Sequence, residues 1–495
     1  MFQSNLCLEN KNIIMKKILL ASLLFTTLIS CKKETKVTDA PTEEVKSEIA
    51  QFSPEVEENA VIYEVNIRQY SPQGTFNEFT KDIPKLKELG VKIIWVMPIF
   101  PISETKRKAT GGDDSKFASE MPKEEQHKYL GSYYAVSDFK AVNPEFGTIE
   151  DFRKMVQTAH DNGMYVILDW VPNHTGWDHV WIKEHPEFYT KNAKGEIIDP
   201  TNPETGKSWG WTDVADLNYD NQELRKEMTK DMLYWIKNEN IDGFRCDVAS
   251  NVPTDFWQQT IPQLRKEKSI FMLAEAWQPE LLKDNLFDMG YNWTSHHLMK
   301  DIAQGKKKVK DWDNFILDDI KKYEANDILM SFVDNHDENS WSGTIQSRLG
   351  KAEEAMTALS YVTPGMPLIY NGNEYGLNHS LNFFEKDSIP KTKGSAWDLR
   401  AKLGNLKNNN IALNGGKNKA SYARIKSTKD DQVLVFERIK EDKKVIYMAN
   451  LSSKPVEVSI PLNGSYKDLI SGETIELNQK QIYPLKAWQY YILTE

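Results

Sequence analysis

Four short segments that carry acidic side chains each follow an apolar run typical of a buried β-strand. They are residues 169–174, 243–247, 274–277 and 332–337. In a parallel barrel, the C-terminal ends of the strands form the face on which catalytic groups are found. Asp247, Glu275 and Asp337 lie 28 and 62 residues apart in sequence, yet such a barrel would bring them into one pocket. Retaining cleavage of a glycosidic bond needs two such carboxyl groups about 5–5.5 Å apart.

The elements that would position these segments alternate between strand and helix from residue 60 to residue 407. Eight strand–helix steps predict a (β/α)8 TIM barrel rather than an open sheet. One helix is expected over 76–89, ending at Gly90. The third strand is followed by an irregular segment, 175–218, which predicts a small inserted domain and contains four tryptophans that could form its core or a sugar platform. A long polar loop, 103–130, follows the second strand.

The pattern changes near residue 413. Short apolar runs at 433–436, 444–449, 456–460 and 488–493 are separated by turn residues. They predict a C-terminal antiparallel β-sandwich domain over 413–495, after a barrel that covers 59–412.

The first 58 residues have the composition of a targeting segment. Met15 is the expected true start, because two lysines and an apolar run over 18–29 follow it, as in a signal peptide that ends at residue 30. Leu28 to Cys31 resembles the lipobox of bacterial lipoproteins, which implies a lipid on Cys31 and a lipid-anchored protein of the cell envelope, periplasmic or cell-surface. A plain secretory signal is the alternative. Residues 32–55 are rich in Lys, Glu, Thr and Pro with few large apolar groups, which predicts a flexible linker over 31–58.

Composition limits the partners. The net charge is −10 and no basic stripe is evident, which argues against nucleic acid. The three cysteines do not make a disulfide framework.

The four segments, in this order, resemble the signature regions of the α-amylase family of glycoside hydrolases. Residues 216–218 resemble an additional short region of that family. The resemblance runs from about residue 60 to the C-terminus. It implies a barrel, a small domain after strand three, a C-terminal β-sandwich, and hydrolysis of α-1,4-glucosidic bonds in starch, maltodextrins or related α-glucans.

The resemblance also assigns roles to residues. Asp247 corresponds to the nucleophile, Glu275 to the acid/base, and Asp337 to the third carboxylate, which binds ring hydroxyls. The residues that correspond to sugar-binding groups are Tyr134, His174, Arg245 and His336, with Tyr133 as an alternative register for the tyrosine.

Neighbouring residues are expected to shift the pKa values of these carboxyl groups. Arg245 lies two residues before Asp247, so both side chains point to one face of the strand, where the cation favours the ionised carboxylate. Apolar neighbours of Glu275 could raise its pKa towards an acid's working range. Asp169 is expected to orient Arg245 and support the site.

Calcium is an optional cofactor rather than a required one. The family's ligand positions correspond to Asn173 and an acid of the inserted segment such as Asp216, but Asn251 stands where many members have histidine. A glucanotransferase or a trehalose-type isomerase with the same residues is an alternative function. A non-catalytic carbohydrate-binding relative is the alternative from another class.

Overall fold

Eight parallel strands close into a barrel in the computed structural model, which describes residues 52–112, 114–202 and 204–495. In chain order, the first ten strands are β1 Val61–Val65, β2 Val91–Val96, β3 Tyr165–Trp170, β4 His174–Gly176, β5 Val214–Asp216, β6 Gly243–Cys246, β7 Phe271–Ala274, β8 Met289–Tyr291, β9 Ile328–Ser331 and β10 Met366–Tyr370. Strands β4 and β5 pair with each other outside the barrel, and the other eight form it. The predicted TIM barrel is therefore confirmed.

Helices follow most of the barrel strands and cover their outer faces. The α-helices span Pro54–Asn59, Ile67–Tyr70, Phe76–Thr80, Ile83–Leu86, Ile149–Asp161, Val180–Glu184, Gln222–Asn238, Thr254–Glu267, Trp293–Ala303, Val309–Lys322, Ile345–Leu349, Glu353–Val362 and Ser395–Asn409. Within the described ranges, none of them has both the length and the apolar character needed to cross a bilayer. Cys31 and the predicted signal peptide lie outside those ranges. The prediction that the linker extends to residue 58 is wrong at its C-terminal end, because Pro54–Asn59 is helical and buries Val56.

The prediction of a single helix over 76–89 is wrong. The structure has two short helices there, Phe76–Thr80 and Ile83–Leu86, followed by a 3-10 turn, Lys87–Leu89. Pro84 has no backbone N–H to donate to the carbonyl of Thr80, so a continuous helix would lose a bond at this point. Gly90 ends the segment at φ 74°, as expected of a left-handed C-cap.

The interior of the barrel changes from apolar to ionisable along β1, β3 and β7. Because strand side chains alternate between faces, every second residue points inward. Ile62, Ile167 and Leu273 belong to the apolar interior cluster, and the next inward positions towards the C-terminal ends are Glu64, Asp169 and Glu275. These ionisable side chains lie above the apolar interior cluster, at the face of the barrel where the site forms.

The C-terminal part of the chain is an antiparallel β-sandwich, as predicted. Its strands are β11 Ser421–Ile425, β12 Val433–Lys440, β13 Lys443–Asn450, β14 Val456–Val458, β15 Gly464–Asp468, β16 Thr474–Leu477, β17 Tyr483–Leu485 and β18 Tyr490–Thr494. A six-stranded sheet packs against the β14–β17 pair through a shared apolar cluster. The sequence patterns missed β11, β15, β16 and β17, because these strands are short and few of their side chains are buried.

The outer face of β12 and β13 packs on the barrel. Leu434, Phe436 and Tyr447 belong to the same apolar cluster as the barrel helices. The Tyr447 hydroxyl donates to the carbonyl of Ala355 at 2.8 Å, and the buried Arg438 donates to the carbonyl of Val362 at 2.9 Å. Together the barrel and the sandwich form one compact unit.

Candidate active site

A single buried arginine joins the carboxyl groups at the top of the barrel. Arg245 Nη1 donates to Asp169 Oδ1 at 2.8 Å and to Asp247 Oδ1 at 2.7 Å. Its Nη2 lies 2.9 Å from Glu275 Oε2, and its Nε donates to the hydroxyl of Tyr291 at 3.2 Å. One planar guanidinium thus holds Asp247 and Glu275 side by side. This is the close pairing that a retaining mechanism needs.

The backbone after Asp247 is shaped to hold Glu275. Val248 adopts φ 44°, a conformation that a β-branched residue rarely takes. Its N–H donates to Glu275 Oε2 at 2.8 Å. Such backbone strain costs on the order of 1–3 kcal/mol and is typically found at functional sites. Strand periodicity alone gives no sign of this contact.

The environments of Asp247 and Glu275 separate their pKa values. Burial raises the pKa of Asp247 to about 6, although Arg245 opposes the rise. Burial raises the pKa of Glu275 to about 8, also against Arg245. Near pH 7 Asp247 is therefore ionised and Glu275 carries its proton. Arg245 lowers the pKa of both carboxyl groups, as expected, but burial raises each pKa by more.

Asp169 supports the site from beneath, where the structure buries it fully. It accepts hydrogen bonds from Arg245, from Trp95 Nε1 at 3.1 Å and from the hydroxyl of Tyr134 at 3.2 Å. Its carboxylate therefore fixes the guanidinium that contacts the other two acids.

Tyr134 and His336 continue this network. The Tyr134 hydroxyl lies 2.8 Å from His336 Nε2, and its ring faces the cleft. Tyr133 instead lies under the guanidinium of Arg68, so the structure places Tyr134, not Tyr133, in the site.

Glu64, which is not among the residues predicted from the sequence, holds His336 from the opposite side. Its Oε1 lies 2.5 Å from His336 Nδ1, and Asp337 Oδ1 lies 3.5 Å from Nε2. Burial lowers the pKa of His336, but the carboxylates of Asp337 and Glu64 outweigh it and raise the pKa to about 9. The imidazolium then donates to Glu64 and to the oxygen of Tyr134. Glu64 could have been recognised in the sequence because it is a charged residue inside the apolar run of β1.

We expect Glu64→Gln to weaken the site through His336. The variant replaces a carboxylate by a neutral amide, so the pKa of His336 should fall well below 9. Loss of a charged hydrogen bond of about 1.5–3 kcal/mol should reduce kcat/KM about tenfold or more. Histidine ¹⁵N NMR titration checks the pKa. In a His336→Phe background the same substitution should add little, and an undiminished second loss would contradict the coupling.

The remaining sequence-predicted side chains line the same cleft, which has a volume of about 840 Å³. Asp337 is partly exposed at its floor. His174 is buried, and burial lowers its pKa to about 3, so it is neutral near pH 7. The structure therefore brings all the predicted sugar-binding residues and the three carboxyl groups into one place.

The tryptophans of the inserted segment divide between the two roles expected for them. Trp181 is buried in the apolar core, whereas Trp209 and Trp211 stack at 6.0 Å and line the cleft. Trp341, Phe383 and Phe384 line it as well. These last three were missed, because Trp341 lies in a single π-helical turn, Glu338–Ser342, and the two phenylalanines lie in a loop, so none belongs to a periodic apolar pattern.

The two positions considered for calcium supply few donors. Asn173 Nδ2 lies 3.2 Å from His174 Nδ1, and Asp216 lies opposite His174 in the β4–β5 pair, with its pKa raised by burial to about 6. Within the part of the chain that the structure describes, His, Cys, Asp and Glu form no group of three or more that could hold a metal.

Comparisons with known proteins agree with this architecture. The family model for "Alpha amylase, catalytic domain" matches residues 57–410, and that for "Maltogenic Amylase, C-terminal domain" matches residues 424–492. The noncanonic maltogenic alpha-amylase AmyB from Thermotoga neapolitana has a similar structure, with a TM-score of 0.75 and 26% identity over 88% of this chain and 98% of that one.

Similar sequences point to the same family. Alpha-amylase MalA of Haloarcula japonica is 25% identical over 85% of this chain, and the match spans 59% of that longer protein. Alpha-amylase 3 of Dictyoglomus thermophilum is 24% identical over 83% of this chain and 88% of that one. Other similar proteins are named 4-alpha-glucanotransferase and alpha-1,4-glucan:maltose-1-phosphate maltosyltransferase. With a catalytic-domain match over most of its length, this chain belongs to the α-amylase family of glycoside hydrolases.

Proposed function

We propose that the protein hydrolyses α-1,4-glucosidic bonds in starch, maltodextrins or related α-glucans with retention of anomeric configuration. The observation that carries this proposal is the pairing of Asp247 and Glu275 on one guanidinium, with pKa values set apart by burial. The names of the similar proteins support the substrate class.

The mechanism uses each carboxyl group once per half-reaction. An ionised oxygen of Asp247 attacks the anomeric carbon while Glu275 gives its proton to the departing glycosidic oxygen. Glu275 then takes a proton from water, whose oxygen attacks the same carbon and releases Asp247. Asp337, the protonated His336 and the ring of Tyr134 hold the sugar that is cleaved.

Transfer to a sugar acceptor is the second candidate function. It uses the same covalent intermediate and differs only in which hydroxyl attacks it. The similar proteins named as transferases favour keeping this alternative.

One experiment tests both candidates. The protein is incubated with starch, pullulan, maltooligosaccharides and trehalose, and the products are identified, with ¹H NMR of the first-formed anomer. We expect shorter maltooligosaccharides of α configuration from starch and maltooligosaccharides. Products longer than the substrate would establish transfer, β-anomers would contradict the mechanism, and inert substrates would contradict the function.

We propose that no calcium is required. The few donors at Asn173 and Asp216 and the asparagine at 251 support this. Dialysis against EDTA should leave both activity and Tm within experimental error of the untreated protein. A sharp fall in Tm that added calcium reverses would contradict it.

We also propose that Cys31 is lipidated and anchors the enzyme to a membrane of the cell envelope. The lysines, the apolar run and the sequence from Leu28 to Cys31 support this. Because one acyl chain binds membranes only marginally, stable anchoring needs more than one. Cys31→Ala should move active enzyme to the soluble fraction or leave an uncleaved precursor. Wild-type protein that is wholly soluble, with an unmodified N-terminus elsewhere, would refute the anchor.

A further inference from the structure

The loop after β2 contains a hairpin at the edge of the cleft. We call residues 108–112 and 114–117 the rim hairpin; residue 113 lies outside the described ranges. Lys108 and Phe117 form an antiparallel bridge, and the N–H of Ala109 donates to the carbonyl of Lys116 at 2.8 Å. Ala109 also packs with Ala118 and Tyr129 in a small buried cluster at the base. The hairpin is thus anchored by a core of its own.

One end of the rim hairpin is bound to the inserted segment. Lys108 is 7% exposed, and its Nζ donates to the carbonyl of Gly210 at 2.7 Å and lies 3.4 Å from Asp213 Oδ1. Asp213 is buried as well, and burial raises its pKa although Lys108 opposes the rise. A buried ion pair that loses one partner leaves an uncompensated charge, so this contact holds the hairpin firmly to that rim.

The other end of the rim hairpin contacts the opposite rim. Gly111 lies against the indole of Trp341, so closely that a Cβ at Gly111 would be 2.6 Å from its ring. Trp341 packs on Phe383 and Phe384, with ring centroids 5.1 and 6.1 Å apart. The same loop is also fastened there at its end, where the N–H of Leu130 donates to the carbonyl of Phe384 at 2.7 Å.

Both rims belong to the cleft that contains the three carboxyl groups, and Gly111, Gly112 and Ser115 line that cleft between them. The hairpin therefore connects the two walls. A glucan that occupies the cleft must end at the hairpin or thread beneath it, and in either case a chain end has to enter first. The middle of a long polymer cannot be laid across this position from the side.

We propose that the rim hairpin makes the enzyme act from chain ends, so that it prefers short linear maltooligosaccharides to the interior bonds of starch. The proposal rests on the function proposed above. The half-exposed faces of Trp209 and Trp341, 43% and 53% exposed on opposite rims, supply apolar surfaces for the glucose rings next to the cleaved bond.

The wild-type enzyme provides the first test. On soluble starch, reducing ends should accumulate well before the viscosity falls by half. Maltoheptaose should be cleaved at least tenfold faster, in kcat/KM, than an analogue with bulky blocking groups on both terminal glucoses. A rapid viscosity loss at low release of reducing ends, or equal rates on the two heptasaccharides, would overturn the proposal while leaving the hydrolase function intact. A protein inert on every α-glucan would overturn both.

A trimmed hairpin provides the second test. Replacing residues 110–115 by Asn-Gly keeps the Lys108–Phe117 pairing and closes it with a two-residue turn that suits a hairpin. The ratio of kcat/KM on starch to that on maltoheptaose should rise at least tenfold, and the doubly blocked analogue should become a substrate. Lys108→Met, which removes the contact with the inserted segment, should change the same ratio in the same direction.

The matched control is Lys123→Met, a change of the same type at an exposed position of the same loop. It should leave the ratio at the wild-type value. Tm and circular dichroism report whether each variant is folded. A folded, trimmed variant with an unchanged ratio would overturn the proposal, and the wild-type measurements decide the question if trimming prevents folding.

Discussion

Asp247→Ala should reduce turnover of maltooligosaccharides by about 10⁴-fold or more, the scale on which hydrolases lose activity with their nucleophile. The variant removes the only oxygen proposed to attack the anomeric carbon. Arg245 keeps its contacts with Asp169 and Glu275, so the barrel top should remain folded. Steady-state kinetics and Tm, measured on the same preparation, check both statements.

Azide separates the role of Asp247 from that of Glu275. In Asp247→Ala, azide has room to attack the substrate directly, which is one displacement and gives a glycosyl azide of inverted configuration. In Glu275→Ala it attacks the glycosyl–enzyme intermediate, which is a second displacement and gives the retained configuration. Asp220→Ala, at an exposed position outside the cleft, is the control and should behave as wild type. Near-normal activity in Asp247→Ala, or a retained azide product from it, contradicts the assignment.

The pH dependence of kcat/KM should be bell-shaped, with its maximum between about pH 6 and pH 8. Activity requires ionised Asp247, whose pKa is about 6, so it falls as the pH drops through that value. It also requires protonated Glu275, whose pKa is about 8, so it falls as the pH rises through that value. Both limbs are defined by burial, because water around either carboxyl group would bring its pKa back towards 4.

Glu275→Gln should remove the alkaline limb, since the amide does not titrate. On maltooligosaccharides, whose leaving group needs a proton, the first half-reaction should slow by about 10²–10⁴-fold, the range of general acid catalysis. On an aryl glycoside with an acidic phenol, the pre-steady-state release of phenol should be nearly unaffected. Equal losses on the two kinds of substrate would argue against Glu275 as the acid.

Much of the fold could be predicted because its signals are local. The eight strand–helix steps can be recognised from the periodicity of apolar residues. Even the shortest barrel strand, β8, lies where an apolar run predicted it. The continuous helix predicted over 76–89 is interrupted because Pro84 has no backbone N–H to donate, an effect that the apolar spacing does not reveal. Strands such as β15 and β16 were missed because most of their side chains face solvent and carry no apolar pattern.

In the candidate site, some residues could be predicted from local sequence signals and others could not. Asp247, Glu275 and Asp337 could be found because strand ends in a barrel converge and because their segments stand in a recognisable order. Tyr134 and Tyr133 could not be told apart, since adjacent residues in a loop have no fixed face. Trp341 and Gly111, 230 residues apart, reveal their contact only in the folded chain.

By itself the sequence determined the family architecture, the acids at the strand ends and the net negative charge, because each follows from residue type and spacing. Only the tertiary structure decided which groups touch and how they ionise. Arg245 reaches three carboxyl groups on three strands, and Glu64 reaches His336 across the barrel. The pKa values and the shape of the cleft depend on the exclusion of water by neighbours distant in sequence, which no local pattern encodes.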